Sequence, residues 1–445
     1  MASLEFQCQS EMPISAFNLF LYHSRPGAFQ RLMPPWEKLV ITHQSPTLSV
    51  GCKLQFRIKK GPFQIPWEAD HPEVVPGKMF TDIQKKGPFR TWVHQHRFET
   101  LSPSTSKLID DLSIVLPGGW LGNSLGAPLL RRQLQKMFRF RHGRTMRDVC
   151  RQKEITRPLR IILVGGCPDW ATQLAAFLST AGHTVYNMSN GGQGKLFMHP
   201  FFDSANACHP LDECDALILT GVPLCQANSL DEPFPELAFL NRALRTLSQK
   251  PLHLLQIIPP SQQLPEWKVD PQLPSNQKSE KETRRVAFQN HLNSLEDLIP
   301  NVCRLHLGAL IQPKPTALVQ LLLQLESFLF LDQNASTANF HWISQDDLLG
   351  SILFLLENPQ IQGDLAVIHP KAATRAELQQ LLISTFFGRY VMSRIFQVVG
   401  WSAPGRSPTI HEHLTALPSI HSVGFVPETN SLKGAYFSEF GIFEP

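Results

Sequence analysis

Between Cys52 and Lys59 the chain alternates one for one: Cys52, Leu54, Phe56 and Ile58 fall on one side, Lys53, Gln55, Arg57 and Lys59 on the other. A period of two marks a strand with one buried and one wet face. The same alternation in "RTWVHQHRFET" puts Trp92, His94, His96 and Phe98 on a common face. The motif "KKGPF" occurs at 59–63 and again at 85–89, and each time a Trp and a His follow: Trp67 and His71, then Trp92, His94 and His96. Gly-Pro punctuates antiparallel hairpins, so the repeat is one of turn chemistry. Beyond "LPGG" the period lengthens, with Leu129, Leu130, Leu134, Met137 and Phe138 at helical spacing. Residues 1–150 are therefore expected to form an antiparallel sheet closed by one long helix.

From Arg160 the pattern changes. "RIILV", "HTVYNM", "CDALILTGVP", "LHLLQII" and "VCRLHLGALI" are short apolar runs separated by amphipathic segments such as "WATQLAAFLSTAG". Strand alternating with helix predicts a parallel sheet covered on both faces. Between the two patterns lies a stretch dense in arginine from Arg139 to Arg160, broken at Pro158. It has no interleaved aromatics and no nucleic-acid reader motif, and is expected to be a solvated helix end plus a basic linker.

At 445 residues the chain exceeds what one core usually organises, so more than one domain is expected. A formal charge of +4 gives no argument for nucleic acid or membrane at this length. Eight cysteines without a CxxC pair suit reduced thiols. The N-terminus lacks a basic start with a continuous apolar stretch, and no later run of 18 apolar residues occurs. A cytoplasmic protein without membrane insertion is expected.

Several segments carry a resemblance. "RPGAFQRLMPPWE", "WEADH", "FTDIQKKGPFRTWVHQHRFE", "LPGGWLG" and "MFRFRH" resemble the SRPBCC (START-like, helix-grip) domain that precedes an epimerase-like Rossmann domain in some two-domain proteins. "FHWISQDDLLGSILFLLENPQIQGDLAVIHP" resembles the extended short-chain dehydrogenase (epimerase) family, and "GRSPTIHEHLTALPSIHSVGFVPETNSLKGAY" its small C-terminal segment. The resemblance implies an α+β helix-grip domain over 1–150, a linker at 151–158, a degenerate Rossmann-like domain over 159–395 and a C-terminal segment over 396–445. It also implies a small apolar ligand held between sheet and helix, with Trp67, His71, Trp92, His94, His96 and Phe98 as expected cavity residues. A curved sheet must fill its interior, and these aromatics would serve to fill it as well as to line it.

The cofactor that the second resemblance implies is NAD(P), with Gly165, Gly166 and Gly221 as the glycines in position to meet it. The family's Gly-x-x-Gly-x-x-Gly lets the backbone turn tightly and approach a pyrophosphate at a helix N-terminus. Counting on from Gly166 gives Asp169 and Thr172 instead of glycines. Asp169 is a good N-cap, and its carboxylate would occupy the anion site. A like charge about 4 Å from a phosphate costs roughly 1 kcal/mol in water and about 4 at an effective dielectric of 20. No acidic residue for a ribose follows the second strand in "YNMSNGGQG". The four tyrosines, at 22, 186, 390 and 436, have no lysine four residues on, so the family's Tyr-x-x-x-Lys pair is missing and no catalytic residue is assigned. Ser261 is a lone serine in a Pro-rich loop. No cofactor is assigned with NAD(P) left as the open choice.

His94 and His96, two apart on one strand face, could be joined by His71 in a zinc-like set. Flanked by Trp92 and Phe98, they read instead as hydrogen-bonded members of a cavity wall, and no metal is assigned. The function expected is binding of a small apolar ligand beside a Rossmann-like domain with weak or no dinucleotide binding. The alternatives are an NAD(P)-dependent oxidoreductase or epimerase with displaced catalytic groups, and a module that presents surfaces to a partner.

Overall fold

The computed structural model describes residues 3–45, 47–60, 62–119, 126–164, 169–188, 214–220, 253–258, 302–311, 339–374, 377, 381 and 410–435. The chain divides into two compact units, one containing Met1–Leu159 together with Thr172–Tyr186, the other containing Arg160–Ala171 and the residues from Phe201 onward.

The first unit is an antiparallel sheet of seven strands: β1 (Leu4–Met12), β2 (Lys38–Gln44), β3 (Lys53–Lys60), β4 (Phe63–Val75), β5 (Met79–Lys86), β6 (Thr91–Ser102) and β7 (Thr105–Val115). Their order is β1-β7-β6-β5-β4-β3-β2, a meander whose first strand closes against the last. Both "KKGPF" motifs join sequential neighbours, β3 to β4 and β5 to β6. Two helices that period-two reading does not register intervene between β1 and β2: α1 (Ala16–Ser24) and α2 (Ala28–Leu32). Ser15 caps α1 by accepting from the Asn18 amide. The long helix expected after β7 is α3, Ala127–Arg151.

Burial follows the alternation. Trp92, His94, His96 and Phe98 are buried while Val93 is exposed, and on β7 Leu108, Asp110, Leu112 and Ile114 face inward. Phe138 of α3 packs 5.5 Å from Phe6 of β1, centroid to centroid. A buried ion pair fixes α2 to α3: Arg31 Nε and Nη2 donate to the two Asp148 oxygens, each at 2.7 Å. Tyr22 of α1 donates to the same carboxylate at 2.8 Å. These contacts hold the short helices over the sheet's open end.

The second pattern gives a sheet of β8 (Arg160–Val164), β9 (Thr184–Met188), β10 (Ala216–Leu219), β11 (His253–Ile258), β12 (Val302–Leu307) and β16 (Gly363–Val367), in the order β16-β12-β11-β10-β8-β9. The neighbouring pairs from β8 through β10, β11 and β12 to β16 run parallel. Every described residue of β10 is buried, as a strand covered on both faces requires. α4 (Asp169–Ala181) follows β8, and it begins with Asp169 itself where the sequence reading makes that residue the preceding cap. Beyond β12, the short strands β13 (Ala309–Ile311) and β15 (Trp342–Ser344) pair in parallel, and β14 (Asn339–Phe340) pairs with β17 (Ala373–Thr374). α5 (Gln345–Glu357) is capped by Ser344, whose hydroxyl accepts from the Asp347 amide at 3.0 Å. The Asp347 carboxylate accepts from the Glu428 amide at 3.0 Å and from the Thr429 hydroxyl, tying the C-terminal segment to this helix. An α+β helix-grip domain is thus followed by an α/β Rossmann-like domain with a mostly parallel sheet and a small C-terminal segment. Among the described residues no helix is long and apolar enough to cross a membrane.

Candidate functional site

A cavity of about 590 Å³ lies within the first unit between the sheet and the helices. Its apolar wall comes from Phe56, Trp67, Phe80 and Trp92 of the sheet, Phe29 and Leu32 of α2, and Leu130, Leu134 and Met137 of α3. The aromatics pack on one another and leave the space between them open. Trp67 stacks on Phe56 at 5.7 Å and meets Trp92 edge-on at 5.3 Å. Five of the six expected cavity residues, Trp67, His71, Trp92, His94 and His96, line this space. Phe98 does not. It lies one pair further along β6, in the core with Met12, Phe20, Phe80 and Leu108, and meets the Phe20 ring edge-on at 5.7 Å.

One end of the cavity is polar. Adjacent strands place Asp82 of β5 directly opposite His94 of β6, and Asp110 of β7 directly opposite His96. Directly opposed residues project to the same face, so two imidazoles sit between two carboxylates. His94 Nε2 donates to Asp110 Oδ1 at 2.8 Å, while His94 Nδ1 lies 3.2 Å from Asp82 Oδ2. His96 Nε2 is 3.3 Å from the same Asp82 oxygen. His96 Nδ1 is 2.7 Å from Asp110 Oδ1, off the line that a hydrogen bond needs, so that contact is electrostatic. From α3, one turn after Phe138, His142 Nε2 reaches Asp110 Oδ2 at 2.6 Å, and its Nδ1 lies 2.8 Å from Ser10 Oγ.

The charges follow from this packing. Burial works against the charged form of His94, but Asp82 and Asp110 outweigh it and the pKa is raised above the ordinary imidazole value. His142 is likewise opposed by burial and lifted, by its bond to Asp110 and the nearby Cys8 thiol, to about 9. Burial pushes the Asp110 carboxyl up, yet the three histidines hold it well below the usual carboxylate range. Asp82 is lowered in the same way, burial being overcome by His94 and His96. His23 of α1, also on the cavity, is brought down by burial to about 3, with its bond to the Leu19 carbonyl opposing.

His71 stands apart from this cluster. Register shifts on β4 between Asp70 and Glu73 turn the strand there, and the His71 ring engages the Cys52 carbonyl at 3.1 Å across β3. The zinc-like trio of three histidines therefore does not assemble; Asp82 takes the third place beside His94 and His96. Sequence reasoning missed Asp82, Asp110 and His142. A signal was present for Asp110, a carboxylate between Leu108 and Leu112 on a largely apolar strand face, whereas Asp82 shares its face with Phe80, Gln84 and Lys86 and carried none.

In the second unit the strand order reverses between β8 and β10. At that point the Thr220 amide donates to the Val164 carbonyl at 2.9 Å, bringing the C-terminal ends of the two strands together. Ligands of open α/β sheets bind outside such reversals. Gly165, Gly166 and Gly221 immediately follow these two ends in the chain, and they lie outside the described residues, as does Ser261.

No family model and no curated protein matches the chain. Among solved structures it is similar to a nucleoside-diphosphate sugar epimerase from Corynebacterium glutamicum, at 17% identity and a TM-score of 0.60, over 98% of this chain and 90% of that one. This likeness shows the fold, a helix-grip domain joined to a Rossmann-like one. Over about a third of the chain there are looser matches. One is an aromatase/cyclase from Streptomyces sp. R1128 (12% identity, TM-score 0.28, 34% of this chain and 97% of that one). Another is norcoclaurine synthase from Thalictrum flavum (14% identity, TM-score 0.28, 35% of this chain and 90% of that one).

Proposed function

We propose that the first domain binds a small, largely apolar, ring-bearing molecule, and that the Rossmann-like domain is a degenerate partner with weak or no dinucleotide binding. One observation carries this reading: the 590 Å³ cavity has aromatic residues in its wall and a convergent polar group there, His94, His96 and Asp82. Small-molecule sites have this composition, an apolar lining with a few convergent polar groups, and volumes of about 300–1,000 Å³. The wall supplies affinity by burying rings, and the polar end fixes which way the molecule enters. We assign the ligand domain to residues 1–150, the linker to 151–158, the Rossmann-like domain to 159–395 and the closing segment to 396–445.

Ala69 of β4 is a small buried residue on the cavity wall, which makes it the position from which to test the reading. The full-length protein is expected to bind an environment-sensitive apolar dye in a 1:1 complex, and native mass spectrometry of the purified chain to show a co-purifying small molecule. Ala69→Phe fills part of the void and should abolish dye binding while the fold is retained. A folded wild-type protein that binds no apolar probe would refute the reading. A second reading, an NAD(P)-dependent oxidoreductase or epimerase with displaced groups, is favoured by the strand reversal at Val164 and Thr220. Micromolar binding of NADH or NADPH by the unaltered chain would put it first.

A further inference from the structure

The polar end of the cavity has an order that ligand binding alone does not call for. His94 and His96 each present two ring nitrogens, and the four nitrogens are sorted into an inner and an outer pair. The inner pair, His94 Nδ1 and His96 Nε2, converges on Asp82 Oδ2 at 3.2 and 3.3 Å. The outer pair, His94 Nε2 and His96 Nδ1, lies against one oxygen of Asp110 at 2.8 and 2.7 Å. We infer that Asp82, His94 and His96 form a binding site for a divalent transition-metal ion at the wall of the cavity.

Three physical points support the site. All three donor atoms lie within 4.8 Å of one another. With metal–donor distances of about 2.1 Å, neighbouring donors stand about 3.0 Å apart in an octahedral shell and about 3.4 Å in a tetrahedral one. The two distances from Asp82 fall inside that interval. Second, metal-bound imidazoles are usually oriented by a carboxylate on their far nitrogen, which is the place of Asp110 toward His94 Nε2, while its contact with His96 Nδ1 is electrostatic. His142 holds that carboxylate in turn at 2.6 Å, and its own far nitrogen lies 2.8 Å from Ser10 Oγ. Third, two imidazoles and one carboxylate suit zinc or ferrous iron, in sites that keep further positions open. Asp82, His94 and His96 all line the cavity, so the open positions face it. An oxygen of the cavity's ligand, such as a phenolate or carbonyl, would complete the shell; this last part rests on the ligand-binding reading, whereas the metal site does not.

The site is tested on the full-length chain after dialysis against a chelator. Titration with Co²⁺ alone is expected to give a saturable visible absorption band at one equivalent per chain, displaced by Zn²⁺. Asp82→Asn keeps the side-chain volume and should weaken binding about 100-fold, and Asp110→Asn should weaken it by about 10- to 100-fold through loss of orientation. His43→Ala should bind as wild type, because His43 is exposed on β2 and lies outside the cluster and the cavity lining. Far-UV circular dichroism and melting accompany each variant, and the decision falls on Asp82→Asn if Asp110→Asn fails to fold. No saturable band up to about 0.1 mM Co²⁺, or binding that survives Asp82→Asn, overturns the site. The two readings fail separately: dye binding without metal binding overturns the metal site, and metal binding without dye binding upholds it while removing the ligand.

Discussion

The ion pair under the cavity gives the most severe test of how the first domain is held together. Arg31 and Asp148 have fully buried side chains, with two parallel hydrogen bonds of 2.7 Å between them. Asp148→Ala removes the acceptor of both, and with it the 2.8 Å bond from Tyr22. A guanidinium cannot shed its charge, so it stays buried with its Asp148 counter-charge removed. Breaking such a buried pair from one side costs about 3–5 kcal/mol. For a domain of this size each kcal/mol lowers Tm by about 2–4 °C, so the expected loss is roughly 6–20 °C. The assay is urea unfolding of the full-length chain followed by tryptophan fluorescence, since Trp67 and Trp92 line the cavity between the sheet and the helices that the pair secures. Arg31→Met combined with Asp148→Leu should recover at least half of the loss, because an apolar pair of similar volume carries no desolvation penalty. A single-substitution cost below about 1 kcal/mol, or a double variant worse than Asp148→Ala, would refute the account.

Stability of the chelator-treated protein should peak near pH 6.5 and fall on both sides, as read from Tm against pH. From about 6.5 up to about 9 the folded chain keeps a proton on His142 that the unfolded chain has released, so stability falls as pH rises. From about 6.5 down to about 3 the unfolded chain gains a proton that buried His23 refuses, so stability falls as pH drops. His142→Gln should make the alkaline limb shallower, leaving the share of raised His94, and His23→Gln should do the same to the acid limb; a profile unchanged by either would exclude these groups as contributors. Millimolar NADH is expected to raise the Tm of the wild-type chain little, since stabilisation follows RT ln(1 + [L]/Kd). Asp169→Gly should melt lower without ligand and gain more from NADH, and an equal gain in both chains would show that Asp169 does not close the cofactor site.

Much of the scaffold was legible along the chain because its signals are local. Alternation alone put Trp92, His94, His96 and Phe98 on one face of β6, and the two Gly-Pro turns marked their hairpins. Helical spacing after "LPGG" marked α3, and apolar runs marked the parallel strands. The two short helices escaped notice because nine and five residues carry too few turns for a period to show.

The polar end of the cavity was not legible, and the reason is register. Which residue stands opposite His94 depends on how β5 and β6 align across the second Gly-Pro turn, and which stands opposite His96 on the return of β7. A slip of one residue would send Asp82 to the other face of the sheet. The bulge on β4 had the opposite effect, carrying His71 away from the histidines with which its spacing associated it. Likewise Phe98 shares a face with the cavity residues, yet α1 covers that end of the sheet and Phe20 packs against it. The sequence by itself determined the elements and the faces they bury, since each follows from spacing within one segment. Only the tertiary structure decided which carboxylates meet which histidines, because those meetings depend on pairings between segments that no local period records.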